Sequence, residues 1–392
     1  MTIEKNKIDM KVLFITNHYL DQMLGGPNAS KCFLHSVSSL YPDTTVIYPE
    51  HNEYVTPFDF MSECRDIKYQ PVIDTRSKFR KLCDVYLGKL HRFGRFVKEH
   101  LRNNHYDIIF IDHSIIASSG ILESAIKNGA QIVTIHHNVE SQYLADNKPS
   151  ILYRYPYIHY ALKAERKSII ASNLNLTITE ADRNHFLSAY PQKADSFCVV
   201  GVSEYELHAP TTIKDKVDGY KFIISGAMSA LQTETAILVF LKEYMPLLNE
   251  VCPSAELIIT GRNPSQRIYD AATPYSNIKI VPNPKDIMDV ITKGNYYICP
   301  IHTGSGLKLR SMDALRIGLP VLAHQVSTHG YEGIQRDGYL FSYSSKEDFK
   351  TALKKLIQLH DCRQQVIDSY YSHFSFEAGK ERMKVITAKI AK

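Results

Sequence analysis

Glycine, lysine, arginine and aspartate gather in one segment of this chain, GSGLKLRSMDALRIGLPVLA, residues 304–323. The pattern predicts a glycine turn after a strand, opening a helix over Leu307–Ile317 with Lys308 and Arg310 in its first turn. The amides of Gly304, Ser305, Gly306 and Leu307, with the Lys308 ammonium, suit phosphate oxygens. A carboxylate further along, Asp313, suits ribose hydroxyls. Together these are the parts a nucleoside diphosphate needs. A plainer reading stays open beside it: a tight turn followed by an Arg310–Asp313–Arg316 ion-pair ladder on a solvated helix face.

Other residues of this kind follow apolar runs elsewhere. Gly25-Gly26 precedes a helix, His136-His137-Asn138 follows an apolar run ending at Ile135, and Gly226 and Gly261-Arg262-Asn263 each end another. Glycine at such places lets a ligand approach the backbone. Asp112-His113 and Glu140 are weaker candidates that owe their interest to lying near strand ends. The sequence has no D-x-D and no dense carboxylate cluster beside these loops, so no metal is expected. His136 and His137 would point to opposite faces of a continuing strand, which argues against a joint metal site.

The elements that must position these residues are short β-branched and aromatic runs alternating with helical stretches, the pattern of βαβ units and parallel sheets. Strands are predicted at Lys11–Thr16, Thr44–Tyr48, Asp107–Asp112, Gln131–Ile135, Asn175–Thr179 and Ser196–Val200. A second set is predicted at Lys221–Ser225, Glu256–Thr260, Asn277–Val281, Tyr296–Pro300 and Pro320–Ala323. Helices are predicted from Asn28 to Leu40, Ser114 to Asn128, Thr233 to Leu248, Asp286 to Thr292 and Lys346 to Leu359. Glu204 to Asp218 lacks apolar periodicity and reads as a linker. The expectation is an α/β chain of two tandem Rossmann-like doubly wound domains, residues 1–203 and 220–372, with a linker at 204–219. Residues 373–392 are expected to form a helix crossing back to the first domain. In such sheets ligands bind beyond the carboxyl ends of the strands, where the residues above lie.

These segments also resemble the GT-B glycosyltransferases of family four. Residues 304–323 look like that family's donor motif in a variant form, glycine-x-glycine-x-lysine, then an acidic residue, alanine and glycine-leucine-proline-valine. Gly25-Gly26 resembles its glycine loop, Thr134-Ile135-His136 its threonine-aromatic-histidine, and Phe222–Met228 and Leu257–Arg262 the opening strands of its nucleotide domain. The resemblance implies two domains facing a cleft and retaining, metal-independent sugar transfer from an NDP-sugar to a glycan or lipid-linked saccharide. It implies no cofactor, with the NDP-sugar as substrate. It assigns His136 to the transferred sugar, and Lys308 with Gly25, Gly26, Gly226, Arg262, Gly304, Ser305, Gly306, Leu307, Arg310 and Asp313 to the donor. The sequence departs from the pattern at Ser305, where the family has a glutamate, and at Ala227 and Gln232, where it often has an arginine and a lysine. A non-hydrolysing NDP-sugar epimerase and a binding-only relative of the transferases share the architecture and are the rival readings.

Composition sets the outer bounds. The 392 residues are 44% hydrophobic and 22% charged, with 18 Gly and 17 Pro, which excludes collagen-like and low-complexity classes. The longest apolar run, Ala236–Leu241, is far below the roughly 20 residues of a membrane span. The first residues hold too short an apolar stretch for a secretory signal, so a cytoplasmic location is expected. Seven scattered cysteines without C-x-x-C read as reduced thiols. Between Arg76 and Arg102 nine Lys/Arg face only Asp84 and Glu99, while the whole chain carries +5. Apolar residues recur there every three or four positions, which predicts an amphipathic helix packed on the first sheet, its basic back either simply solvated or meeting anionic lipid at the inner membrane face. No nucleic-acid partner is expected. Tyr153, Tyr155, Tyr157 and Tyr160 would line an acceptor site or an interdomain surface.

Overall fold

The computed structural model describes residues 10–22, 25–50, 60–61, 64–91, 93–146, 151–205 and 218–390. The chain divides into two compact units, residues 1–207 with 374–392 and residues 208–373. Most of the expected linker, residues 206–217, lies outside the described residues.

In the first unit seven parallel strands are described: β1 (Val12–Thr16), β2 (Thr44–Glu50), β3 (Lys68–Ile73), β4 (Ile108–Asp112), β5 (Gln131–His136), β6 (Leu174–Thr177) and β7 (Phe197–Val199). Their order is β3-β2-β1-β4-β5-β6-β7. Sheets of this kind are covered on both faces, so their strands are continuously apolar, and VLFIT of β1 is buried throughout. Leu13, Ile15, Ile109, Ile111 and Ile132 pack with Phe93 and with Val97 and Leu101 from the helix Gly94–Asn103 that follows it. The C-terminal helix Phe376–Thr387 packs on the helix Gly25–Leu40 of this same unit. There Arg382 donates to the carbonyls of Val200 (2.9 Å) and Val202 (3.1 Å).

The second unit has β8 (Tyr220–Ala227), β9 (Ala255–Arg262), β10 (Ile278–Pro282), β11 (Tyr296–Cys299), β12 (Val321–His324) and β13 (Leu340–Tyr343), all parallel, in the order β10-β9-β8-β11-β12-β13. Phe222, Ile224, Leu257 and Ile259 meet Ile237, Phe240, Leu241 and Leu248 in its core. Burying each such side chain contributes about 1.5–3 kcal/mol. In both sheets the strand order reverses beside the first strand of the unit, between β1 and β4 and between β8 and β11. Those two reversal points are where ligands of open parallel sheets bind.

Several expected elements change in the folded chain. Strands β3 and β13 were not anticipated: β3 is an edge strand, largely part-exposed, and β13 has only four residues. The single helix expected over Arg76–Arg102 is two, Lys78–Tyr86 and Gly94–Asn103, because Gly88 takes φ +70 after the first of them. Arg92 lies outside the described residues. The stretch Ser114–Asn128 breaks into a 3-10 turn, Ser114–Ala117, and a helix, Ile121–Asn128, at Ser119 (φ +60) and Gly120 (φ +77). The first helix begins at Gly25, ahead of the expected start at Asn28. The helical run Thr233–Leu248 is Leu231–Val239, a π-turn over Phe240–Tyr244 and Met245–Val251. All seven cysteines are free thiols, five of them buried. No described helix is long and apolar enough to cross a membrane.

Candidate functional site

In the second unit the reversal point is built from glycines. Gly226 ends β8 at φ +148 and Gly261 lies in β9 at φ +146, conformations open chiefly to glycine. A side chain on Gly261 would run into the Gly226 carbonyl oxygen, and one on Gly226 would lie 2.6 Å from the Arg310 guanidinium. Both glycines therefore serve close packing at the sheet end. Arg310 fills the space they leave, donating to the Ser225 carbonyl and to Thr233 Oγ1, each at 3.1 Å. Arg310 thus braces the end of β8, and the i,i+3 ion pair on its helix joins Asp313 to Arg316. Arg262 stands exposed at the end of β9.

The loop after β11 has Gly304 at φ +89 and Gly306 at φ +71. The helix behind it runs over Arg310–Arg316, so the loop and Lys308 precede its first turn instead of forming it. Lys308 is only 8% exposed and curls back, donating from Nζ to the carbonyls of Ser305 (2.8 Å) and Gly306 (3.2 Å). Tyr331 Oη holds the Lys308 carbonyl at 2.9 Å, and Gln232 Nε2 donates to the Thr303 carbonyl at 2.6 Å. Gln232, standing where a lysine was expected, thus pins the loop. Within it Ser305 Oγ and His302 Nδ1 are buried without a hydrogen-bond partner. Buried polar atoms are normally paired, so two orphans in one loop mark a place where a ligand would complete the bonding. Asp313 sits with its side chain 43% exposed, 3.5 Å from Arg316.

The first unit brings together residues that lie far apart in sequence. Asp112, at the end of β4, is fully buried and accepts from His137 Nε2 at 2.6 Å and from Ser30 Oγ at 2.5 Å. Ser30 in turn lies 2.8 Å from His18 Nδ1. The rings of His18, His113 and His137 stand 5.1 to 6.0 Å apart, and His113 Nε2 is 3.3 Å from Glu140 Oε1. Burial raises the Asp112 carboxyl, but His137, His18 and Ser30 outweigh it and hold it at about 2. Burial and neighbouring His137 depress His18 to about 4, against the pull of Asp112, and burial with the other two rings drives His113 well below its usual value. His18 and His113 are therefore neutral at neutral pH. Burial, with Glu165 nearby, lifts Glu140 to about 8, so it is protonated at neutral pH. Ligand atoms of His18, Asp112 and His137 lie within 4.8 Å of one another, close enough for one cation, though both Asp112 oxygens already accept hydrogen bonds. Gly26 is part of this cluster, because a side chain there would stand 2.6 Å from His18 Nε2. Gly25 is the first residue of the helix that carries Ser30.

His136 is not in the cluster. Its ring is fully buried against Phe186 and Phe197, and its Nε2 pairs with Asn175 Oδ1 at 3.0 Å. Strand alternation sends His136 into the layer beneath the sheet and His137 to the reversal point, so the assignment of His136 to a sugar is corrected. Of the sequence candidates, the structure groups Gly226 with Arg310 at the end of β8, and the residues 304–308 in the loop after β11. It groups Gly26, Asp112, His113 and Glu140 around His18, His137 and Ser30. Sequence reasoning missed His18 and Ser30. The signal was present in the segment Thr16-Asn17-His18, a polar run ending the first strand, but nothing local tied it to residue 112.

Two tandem parallel sheets, each with candidate ligand groups at its reversal point, form the α/β fold that GT-B glycosyltransferases share, and comparison with solved structures agrees. The lipopolysaccharide outer core galactosyltransferase WaaB superposes with a TM-score of 0.63 at 12% identity, covering 97% of this chain and 99% of that one. HepE from Anabaena, in complex with UDP, gives 0.62 at 11% identity over 97% and 100% of the two chains. A glycosyltransferase from Rickettsia africae gives 0.60 at 12% identity over 97% and 98%. Residues 219–359 match the family model described as Glycosyl transferases group 1. Residues 219–359 thus carry a group 1 glycosyltransferase domain, within a chain whose fold matches those of GT-B glycosyltransferases. No curated protein matches its sequence at a significant level.

Proposed function

We propose that the enzyme transfers a sugar from a nucleoside diphosphate donor to a glycan or lipid-linked saccharide, with retention of configuration and without a metal. The observation that carries the donor reading is the loop after β11. Its Ser305 Oγ, between two glycines held at positive φ, and its His302 Nδ1, just before them, are buried without partners. As the anomeric C–O bond breaks, the diphosphate gains negative charge. Preorganised amides around Gly304 to Leu307, stiffened by Lys308 and Gln232, meet that charge without reorganising. Asp313 accepts from the ribose, and Arg262 is the exposed cation nearest in sequence to the Gly261 turn. The relatives in the crystal hold UDP, UDP-glucose and UDP-2-fluoro glucose, which makes UDP-sugars the first donors to try. Retention and metal independence rest on the family-four resemblance. Calorimetric titration with UDP and UDP-glucose in EDTA tests the donor reading. Saturable binding is expected, whereas no binding, or binding only with added manganese, would overturn it.

The proposal includes peripheral attachment at the cytoplasmic face of a membrane. Phe79, Tyr86, Leu87, Leu152 and Tyr155 are 54–79% exposed, and Tyr86 Oη donates to the Leu152 carbonyl at 2.8 Å, so the helices Lys78–Tyr86 and Ile151–Ala171 meet there. Arg76, Arg80, Lys81 and Lys89 are partly spent on Asp74 and Asp84, which trims the attraction to anionic lipid and leaves more of the work to apolar insertion. Co-sedimentation with phosphatidylglycerol vesicles should be lost in Phe79→Ser with Tyr155→Ser. Equal sedimentation of wild type and variant would refute the attachment.

A further inference from the structure

The hydrogen bonds around Asp112 determine where the protons of the neighbouring histidine sit. An ionised carboxylate can only accept, so the single hydroxyl proton of Ser30 goes to Asp112 Oδ2. Ser30 Oγ is then an acceptor toward His18, and Nδ1 of His18, at 2.8 Å, must carry the ring proton. Thr16 fits the same assignment: its Oγ1 accepts from the His18 amide at 3.1 Å and faces Ser30 Oγ at 3.4 Å. Nε2 of His18 is left with its lone pair, and no described residue donates to it. The ring is partly exposed, and Gly26 faces that same nitrogen with hydrogen where any other residue would place a carbon at 2.6 Å. The cluster thus pre-sets one accepting nitrogen and keeps the approach to it open.

We infer that Asp112, acting through Ser30, locks His18 as the Nδ1–H tautomer so that Nε2 accepts a hydrogen bond from a substrate sugar hydroxyl. The inference deepens the glycosyl-transfer reading and rests on it for the identity of the ligand. Ser30, Asp112 and Gly26 are positioning residues, and His18 is the group that touches the hydroxyl. This gives the glycine loop after β1 a role distinct from phosphate binding: Gly26 makes room for the imidazole and for the hydroxyl that approaches it. The lock depends on helix and strand together, since Ser30 comes from the first helix, His18 from the end of β1 and Asp112 from the end of β4.

Two measurements on the full chain test this. In the ¹⁵N-histidine-labelled protein, long-range ¹H–¹⁵N spectra, assigned with His18→Gln, should show His18 as the Nδ1–H tautomer and a tautomer mixture in Ser30→Ala. An Nε2–H tautomer in the wild type would overturn the inference whatever the protein's activity. In steady-state UDP release from UDP-glucose with glucose supplied as the hydroxyl acceptor, His18→Ala and Ser30→Ala should lower kcat about tenfold, the value of one lost hydrogen bond, and leave the UDP-glucose KM within about twofold. Ser30→Thr keeps the hydroxyl and should regain the rate. Unchanged kcat in His18→Ala and Ser30→Ala would overturn the role assigned to Nε2. An inactive wild type that still binds UDP would count against the glycosyl-transfer reading of these substrates, and the tautomer measurement would then decide the lock.

Discussion

Replacing Lys308 by methionine keeps the apolar stem and removes the ammonium. In the folded chain that ammonium sits almost out of solvent and bridges the carbonyls of Ser305 and Gly306 at 2.8 and 3.2 Å. Hydrogen bonds from charged groups contribute about 1.5–3 kcal/mol, and the variant also leaves two loop carbonyls without their donor. The free energy lost belongs to the loop that carries Ser305, so ordering it falls to the nucleotide. UDP should therefore bind about 10- to 150-fold more weakly, a loss of about 1.5–3 kcal/mol converted at 1.4 kcal/mol per tenfold. Because charge grows on the leaving diphosphate, turnover should fall further than affinity. Calorimetric titration with UDP measures the first effect and initial rates with UDP-glucose the second, while thermal unfolding shows whether the rest of the unit stays intact. Wild-type UDP affinity in a variant with an unchanged melting temperature would refute the reasoning, because the loop would then owe nothing to Lys308.

Further expectations concern stability. Glu140 and Glu165, held protonated up to about 8 and 7 chiefly by burial, bind protons in the folded state that an unfolded chain releases near its ordinary carboxyl value. Folding should weaken as pH rises from about 6.5 to 8, a slope that Glu140→Gln should flatten in thermal melts; an unchanged slope would count against the burial argument. Below about 6.5 His18 and His136, depressed to about 4, contribute a slope of opposite sign, which offsets that of the two glutamates down to about 4.5 and lowers stability below it. His136→Ala should lower stability by roughly 1–3 kcal/mol, through a cavity beside Phe186 and Phe197 and an orphaned Asn175, with UDP affinity unchanged by calorimetry. Gly261→Ala should unfold the second unit or cost it several kcal/mol in denaturant melts, because its Cβ has no room beside the Gly226 carbonyl.

The sequence by itself determined the class of fold. Runs such as Val12–Ile15 and Ile108–Ile111 are apolar at every position, which only a sheet covered on both faces can accommodate. It also marked the glycines at 226, 261, 304 and 306, because the backbone angles they adopt exclude other residues and the need for glycine is local. Strands β3 and β13 were less legible, one an exposed edge and the other too short to show a period. What only the tertiary structure decided is which of these residues meet. The cluster of His18, Ser30, Asp112 and His137 exists because β4 lies between β1 and β5, an order that chain sequence does not carry. The choice of His137 over His136 is a matter of one residue, yet alternation along the strand sends the two rings to opposite sides. Arg310 looked like a free cation in the sequence and became a brace once Gly226 left space above Ser225. Local signals are written in backbone preference and burial period, whereas the chemistry of the site depends on long-range register, and register is set only when the sheets assemble.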